Sequence, residues 1–136
     1  MHSNKIELMQ YRFDMAKERL TSSKLLLENG SFKDSIGRSY YAIFMAVRAI
    51  LALDNVDFSR HSGVISYFQQ NYIKTGVFDI KYSKYLSQAF QIRNNTDYAD
   101  FYIVSREDAK IQHERAVEFC EAVGKYLISL TDCGTE

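Results

Sequence analysis

The stretch IGRSYYAIFMAVRAILAL, residues 36–53, decides the fold of this chain. Its apolar residues form two neighbouring stripes at helical spacing. One stripe consists of Tyr40, Phe44, Val47 and Leu51, and the other of Ile36, Ile43 and Ile50. A helix that is apolar on all sides is normally buried, so other helices must surround it. The stretch therefore predicts the central helix of a bundle.

Arg38 and Arg48 distinguish a buried helix from a membrane span. An apolar run of this length is long enough to cross a bilayer, but two arginines within it would be costly in hydrocarbon. We therefore predict a soluble core helix and no membrane association. Arg38, Tyr41 and Arg48 fall at i, i+3 and i+10, so they share one face. On that face, the arginines either extend to solvent or bind a carboxylate or a ligand.

Length and composition predict one domain over residues 1–136, without disulfides. The two cysteines, Cys120 and Cys133, suit free thiols in a reducing compartment, and the N-terminus lacks a signal peptide, so we expect a cytoplasmic protein. The zero formal charge argues against a general nucleic-acid coat protein. Charge is unevenly distributed, however. Residues 31–98 carry eight Lys and Arg against five Asp and Glu, which permits a local basic site.

Apolar periodicity and end signals predict an all-α, antiparallel, up-and-down bundle of about five helices. The predicted helices cover residues 5–28, 31–53, 61–74, 79–94 and 105–130. Asn29-Gly30 is typical of a helix end, and the one- or two-residue link after it favours antiparallel neighbours. We interpret the predicted helix starts as capped by Ser31, by Asp57 or Ser59, by Asp79, and by Ser105 with Asp108. Residues 101–104 are predicted to be loop.

The sequence contains no recognisable metal or cofactor motif. The Glu-x-x-His pairs of di-iron bundles are missing around His113, the two cysteines do not form a CxxC pair, and no glycine-rich phosphate loop occurs. We therefore predict no metal site and no cofactor.

Two polar clusters remain as candidate ligand sites. The first is Arg93-Asn94-Asn95-Thr96-Asp97-Tyr98, at the predicted end of the fourth helix. Arginine can bind a phosphate through two hydrogen bonds, and tyrosine can stack on a base. The alternative is structural: Arg93 pairs with Asp97 and Tyr98 packs on the bundle. The second cluster is Arg60-His61-Ser62-Gly63, where a helix start favours an anion, unless His61 is a local capping group.

Three segments together resemble the HEPN family (higher eukaryotes and prokaryotes nucleotide-binding), in particular its small stand-alone prokaryotic proteins. The segments are RSYYAIFMAVRAIL, RHSGVISYF and RNNTDY, and the resemblance extends over about residues 16–127. It implies a helical bundle, frequent homodimers, and a nucleotide- or RNA-binding role, often beside a minimal nucleotidyltransferase in toxin–antitoxin pairs. The ligand-binding residues that it implies are Arg38, Tyr41, His61, Arg93, Asn94, Asp97 and Tyr98.

The chain departs from the ribonucleases of that family at one position. Those enzymes carry a histidine five to seven residues after the arginine, whereas from Arg93 this window begins at Tyr98 and contains no histidine. A phenol is a poor base at neutral pH, so we expect weak RNA cleavage or none. The alternatives are a metal-independent ribonuclease toxin that uses Arg93 and His61, and a purely structural interaction protein. We also expect self-association through a helix face that includes Tyr82, Tyr85 and Phe90.

Overall fold

The computed structural model describes the backbone of residues 2–134 and the side chains of residues 4–130. Five α-helices, with no strand in the described backbone, confirm the predicted all-α bundle. The helices are α1 (His2–Glu28), α2 (Phe32–Leu53), α3 (His61–Phe68), α4 (Lys81–Tyr98) and α5 (Arg106–Gly134). A π-helical turn, Gln69–Ile73, continues α3.

Helix α2 lies at the centre and contacts each of the other four α-helices. Thirteen of its 22 residues are buried, including Tyr40, Ile43 and Ile50, which are fully inaccessible. Within the described residues it is the one helix long and apolar enough to cross a membrane, but 67% of that stretch is buried inside the bundle. Its apolar faces are therefore covered by the other helices, as expected of a core helix.

Contacts between helices establish the up-and-down arrangement. Arg12 donates to the carbonyl of Arg48, while Ser35 donates to the carbonyl of Ser23, so α1 and α2 run antiparallel. Helices α4 and α5 are also antiparallel: Tyr85 contacts Glu118, and Arg115 donates to Gln88 one turn further along α4.

Gly30 terminates α1 as predicted. Its φ is +81°, a left-handed conformation that glycine adopts without strain. The amides of Gly30 and Ser31 bond to the carbonyls of Leu27 and Leu26, the pattern of a Schellman C-cap. The predicted side-chain cap at Ser31 is wrong: Ser31 occupies the N-cap position of α2, but its hydroxyl makes no capping hydrogen bond.

Of the other predicted caps, those at the starts of α4 and α5 form, and the one at the start of α3 does not. Asp79 accepts the amide of Lys81 at the start of α4, and Ser105 and Asp108 exchange both hydrogen bonds of a capping box. The prediction for α3 is wrong, because Arg60 occupies its N-cap and has no side-chain capping bond. Asp57 instead accepts the adjacent amide of Phe58 and pairs with Arg12 and Arg48.

Helix α4 continues four residues beyond the predicted end at Asn94. The ion pair between Arg93 and Asp97 spans one helical turn, and Thr96 donates back to the carbonyl of Ile92. These side chains therefore satisfy their polar groups along the helix instead of ending it. As a consequence, the first polar cluster lies on the last turns of α4, and the loop, residues 99–105, follows it.

Two tyrosines fasten α3 to the end of α2. Tyr67 and Tyr72 both donate to the same Asp54 oxygen, at 3.0 and 2.5 Å. The π-helical turn contains Tyr72, and its extra residue per turn is seen in the bond from the Lys74 amide to the Gln69 carbonyl. This attachment places His61, the first residue of α3, against α2.

Cys120 is a buried free thiol that donates to the carbonyl of Ala42 at 3.6 Å. Burial, aided by the charge of Glu121, raises the pKa of this thiol to about 12, so it is not a thiolate at neutral pH. The side chain of Cys133 lies outside the described residues.

Candidate functional site

Arg93 of α4 lies against two consecutive tyrosines of α2. Its Nη2 donates to the hydroxyl of Tyr41 at 3.0 Å, and its Cζ lies 5.6 and 5.4 Å from the ring centroids of Tyr40 and Tyr41. These are cation–π distances. Both rings lie within reach of this one arginine because α4 packs against α2. Arg93 is therefore held at a defined position, with 16% of its side chain exposed.

The remaining polar contacts of Arg93 come from its own helix. Its Nε lies 2.9 Å from Asp97 Oδ2, in an ion pair that lacks the alignment of a hydrogen bond. Its Nη1 makes a long contact of 3.5 Å with Asn94 Oδ1. Since these contacts leave the donors of the guanidinium incompletely satisfied, the group retains capacity to bind an anion.

His61 contacts the same two tyrosines. Its ring stacks on Phe44 at 4.1 Å between centroids, and Tyr41 stands perpendicular to it at 6.0 Å. Its Nδ1 is 2.8 Å from the hydroxyl of Tyr40. Burial, followed by the positive charges of Arg93 and Arg48, lowers the pKa of His61. The imidazole is therefore neutral at pH 7.

The hydrogen bond to Tyr40 determines the tautomer of His61. Burial raises the pKa of Tyr40 well above its usual value, so this phenol keeps its proton. Among the described residues it has no other acceptor, and its O–H therefore donates to Nδ1 of His61. In a neutral ring the proton is then on Nε2. The free nitrogen of His61 is consequently a donor.

The fold thus brings Arg93 and His61 together, although they are far apart in sequence. Both contact the rings of Tyr40 and Tyr41, and the charge of Arg93 acts directly on the pKa of His61. Sequence alone did not predict this proximity.

A cleft of about 330 Å³ opens beside Arg93 and crosses α2 from α4 to α1. Its lining consists of Arg19, Lys33, Asp34, Gly37, Arg38, Tyr41, Arg93 and Asp97. Four cationic side chains face two carboxylates, so the cleft carries a net positive charge. Arg19 and Lys33 were not among the predicted site residues. Arg19 is on a different helix and gives no local signal, whereas Lys33 shares a face of α2 with Gly37 and Tyr41, at i, i+4 and i+8, but lies outside the family motifs.

The residues predicted for the site are distributed around this cleft. Arg38, Tyr41, Arg93 and Asp97 line it, and Asn94 contacts Arg93 beside it. Tyr98 is the last residue of α4, is 75% exposed and does not line the cleft, so it does not pack on the bundle. Arg48 pairs with Asp57, so the shared face of α2 contributes only Arg38 and Tyr41 to the cleft. Across the described side chains, no three His, Cys, Asp or Glu residues form a potential metal site.

Comparison with known proteins gives consistent matches over most of the chain. The model of the HEPN domain matches residues 9–126. A UPF0332 protein of Thermotoga maritima is 31% identical over 128 residues, which cover 94% of this chain and 97% of that protein. A Methanocaldococcus jannaschii protein named "Putative toxin MJ0605" is 30% identical over 121 residues, covering 89% and 90% of the two chains.

A second Methanocaldococcus jannaschii protein, named "Putative toxin MJ0142", is 26% identical over 133 residues, covering 92% of this chain and 90% of that protein. The family match includes α2, α3, α4 and most of α5, and therefore all the residues around the tyrosine pair. The chain belongs to the HEPN domain family.

Proposed function

We propose that this protein is a nucleotide- or RNA-binding HEPN module of a toxin–antitoxin type system, and that it works with a minimal nucleotidyltransferase. The observation that carries the binding proposal is the Arg93 guanidinium, held by Tyr40 and Tyr41 at the edge of a cationic cleft. Such a group binds phosphate through directed hydrogen bonds. The names of the two Methanocaldococcus jannaschii relatives support the toxin–antitoxin setting.

Substitution of Arg93 tests the binding proposal. We expect Arg93→Ala to weaken the binding of mononucleotides or short single-stranded RNA by about 10- to 100-fold, because a charge-assisted bond contributes about 1.5–3 kcal/mol. Calorimetric titration at low salt measures the effect, since salt screens exposed charges.

Arg115→Ala is the matched control for this test. Arg115 also lies over a tyrosine, with its Cζ 5.0 Å from the ring of Tyr85, but it is on the α4–α5 groove and not in the cleft. Its removal should leave affinity unchanged. Equal binding by wild type and Arg93→Ala, or no binding by wild type, would favour the purely structural alternative.

Metal-independent RNA cleavage is a second candidate function. The observation that favours it is the convergence of Arg93 and His61 on the same tyrosines. A histidine beside an arginine is the minimum for proton transfer next to a bound phosphate.

We also propose that the protein forms a homodimer. Tyr82, Tyr85 and Phe90, which motivated this expectation, are half-buried against the core of their own chain. Exposed apolar side chains instead occur at the end of α4 and in the loop that follows it: Tyr98, Phe101 and Ile103 are 75%, 97% and 85% exposed. An apolar patch of this kind is typical of an interaction surface.

Light scattering tests the dimer. We expect twice the monomer mass at micromolar concentrations, and a shift to monomer in Phe101→Asp, because a charge at that position would be buried by the partner. Ile80→Asp, at a 79% exposed position before α4, is the control and should stay dimeric. A strictly monomeric wild type at high micromolar concentration contradicts the proposal.

A further inference from the structure

A glycine within α2, Gly37, faces the open space of the cleft. Gly37 lines the cleft, and a Cβ added there would meet no atom within 4 Å. Glycine inside a helix is unfavourable, and no positive φ requires it at this position. Gly37 therefore leaves free space above α2, between Arg93 on one side and α1 on the other.

The four cations that line the cleft, Arg19, Lys33, Arg38 and Arg93, differ in whether they pair with a carboxylate. At the α4 end, Asp97 pairs with Arg93. Arg19 of α1 and Lys33 and Arg38 of α2 also line the cleft and, within the described side chains, form no ion pair with a carboxylate within 4.0 Å. Three unpaired cations repel one another, and an added anion relieves this repulsion. With Asp34, the other carboxylate in the lining, counted against them, these three cations still carry a net positive charge.

The volume of the cleft is suited to a small ligand. At about 330 Å³ it lies at the lower end of the range for ligand pockets. Lys33 and Arg38 are exposed, so the part of the cleft that they line is open to solvent. A ligand held by Arg93 and extended over Gly37 would bring a second negative group to Arg19 and Lys33.

We propose that the cleft has two phosphate positions, one at Arg93 and a second at Arg19 and Lys33, and that it therefore selects nucleoside di- and triphosphates over monophosphates. This inference rests on the proposed nucleotide-binding function and deepens it. The first phosphate contacts the Arg93 guanidinium next to Tyr41. The next phosphate lies over α2 at Gly37, between Arg19 and Lys33, with Arg38 alongside.

Titration of AMP, ADP and ATP without divalent cations tests the second position. For wild type we expect ADP to bind at least about tenfold more tightly than AMP, because the second phosphate adds charge-assisted hydrogen bonds. In the double variant Arg19→Ala/Lys33→Ala this ratio should fall close to one, while AMP affinity changes less than about threefold. A Lys84→Ala/Lys110→Ala variant removes two exposed cations elsewhere, and should keep the ratio.

A second variant tests whether the free volume above α2 is needed for binding, without removing any cation. Gly37→Leu retains every cation and fills the free volume above α2, so ADP affinity should fall at least about tenfold while the melting temperature is maintained. Gly37→Ala, with a side chain of one methyl group, is its control and should have a smaller effect.

The outcomes separate the inference from the function on which it rests. Equal affinity of wild type for AMP and ADP, or an unchanged ratio in the Arg19→Ala/Lys33→Ala variant, overturns the second phosphate position but leaves phosphate binding at Arg93 intact. Failure of wild type to bind any nucleotide overturns both. Tighter binding of a short 5′-hydroxyl RNA than of ATP, with the same dependence on Arg19 and Lys33, overturns nucleotide selection in favour of an RNA backbone.

Discussion

Tyr40→Ala is expected to lower the free energy of unfolding by about 3–5 kcal/mol, the usual cost of removing a large buried aromatic ring. Tyr40 is completely inaccessible, stacks on Phe44 and His61, and supports the Arg93 guanidinium. The variant leaves a cavity at the centre of α2 and a histidine nitrogen without its donor. Because whole domains are stable by about 5–15 kcal/mol, this loss would be a large fraction of the total.

Urea denaturation followed by circular dichroism measures this loss. Tyr40→Phe keeps the ring and removes only the hydroxyl, so it should cost about 1 kcal/mol. Tyr11→Ala is the control for a tyrosine in a helix, since Tyr11 is 62% exposed and its removal should cost less than about 0.5 kcal/mol. A cost below 1 kcal/mol for Tyr40→Ala would show that the contacts around this ring do not determine the stability of the site.

Purified wild-type protein is expected to cleave single-stranded RNA no more than about tenfold faster than the His61→Ala/Arg93→Ala double variant. General acid–base catalysis contributes about 10²- to 10⁴-fold to such a reaction, and the structure provides little of it. Tyr98, where the ribonuclease motif first admits a histidine, is a solvent-exposed phenol outside the cleft.

His61 is a poor replacement for the missing histidine because of its hydrogen bond to Tyr40. With Tyr40 donating to Nδ1, the ring proton of neutral His61 is on Nε2, so neither nitrogen is free to accept a proton from a 2′-hydroxyl. The lowered pKa of His61 also disfavours, at neutral pH, the imidazolium that would act as general acid. The remaining N–H suits donation to a phosphate oxygen.

Cleavage of a fluorescent RNA oligonucleotide between pH 5 and 8 tests this expectation. Wild type that exceeds the double variant by 10²-fold or more, with both single variants folded and inactive, would contradict it and establish the ribonuclease alternative. The Tyr40→Phe variant adds a control, because it frees Nδ1 of His61 and should raise any cleavage that uses this histidine as a base.

The sequence by itself determined the helices and the helix that the others surround. Apolar spacing of three and four residues predicts a buried α2, and the end of α1 follows from Gly30, whose left-handed backbone few other residues adopt. The capping box at Ser105 and Asp108 is equally local, because both hydrogen bonds join residues three apart. Signals of this kind act within one helical turn and can be read directly from the chain.

Predictions of helix caps and of one helix end were wrong where the same polar side chain could either cap the helix or bind elsewhere. Ser31 is in the N-cap position but does not cap, and Asp57 binds two arginines from α1 and α2 instead of capping α3. The polar residues after Arg93 suggested a helix end. They extend α4 instead, because Arg93 and Asp97 bond along it. For Asp57 two partners outside the local pattern decided the result, and for α4 an ion pair along the helix did.

The site itself depended on tertiary structure. Family motifs pointed to Arg38, Tyr41 and Arg93, yet Arg19 lies on α1, outside these motifs, and meets them only because α1, α2 and α4 pack side by side. His61 reaches Tyr40 because two tyrosines attach α3 to Asp54 at the end of α2. Sequence periodicity determines which face of a helix is apolar. Which charges come together across helices is decided by packing between segments that are distant in the chain.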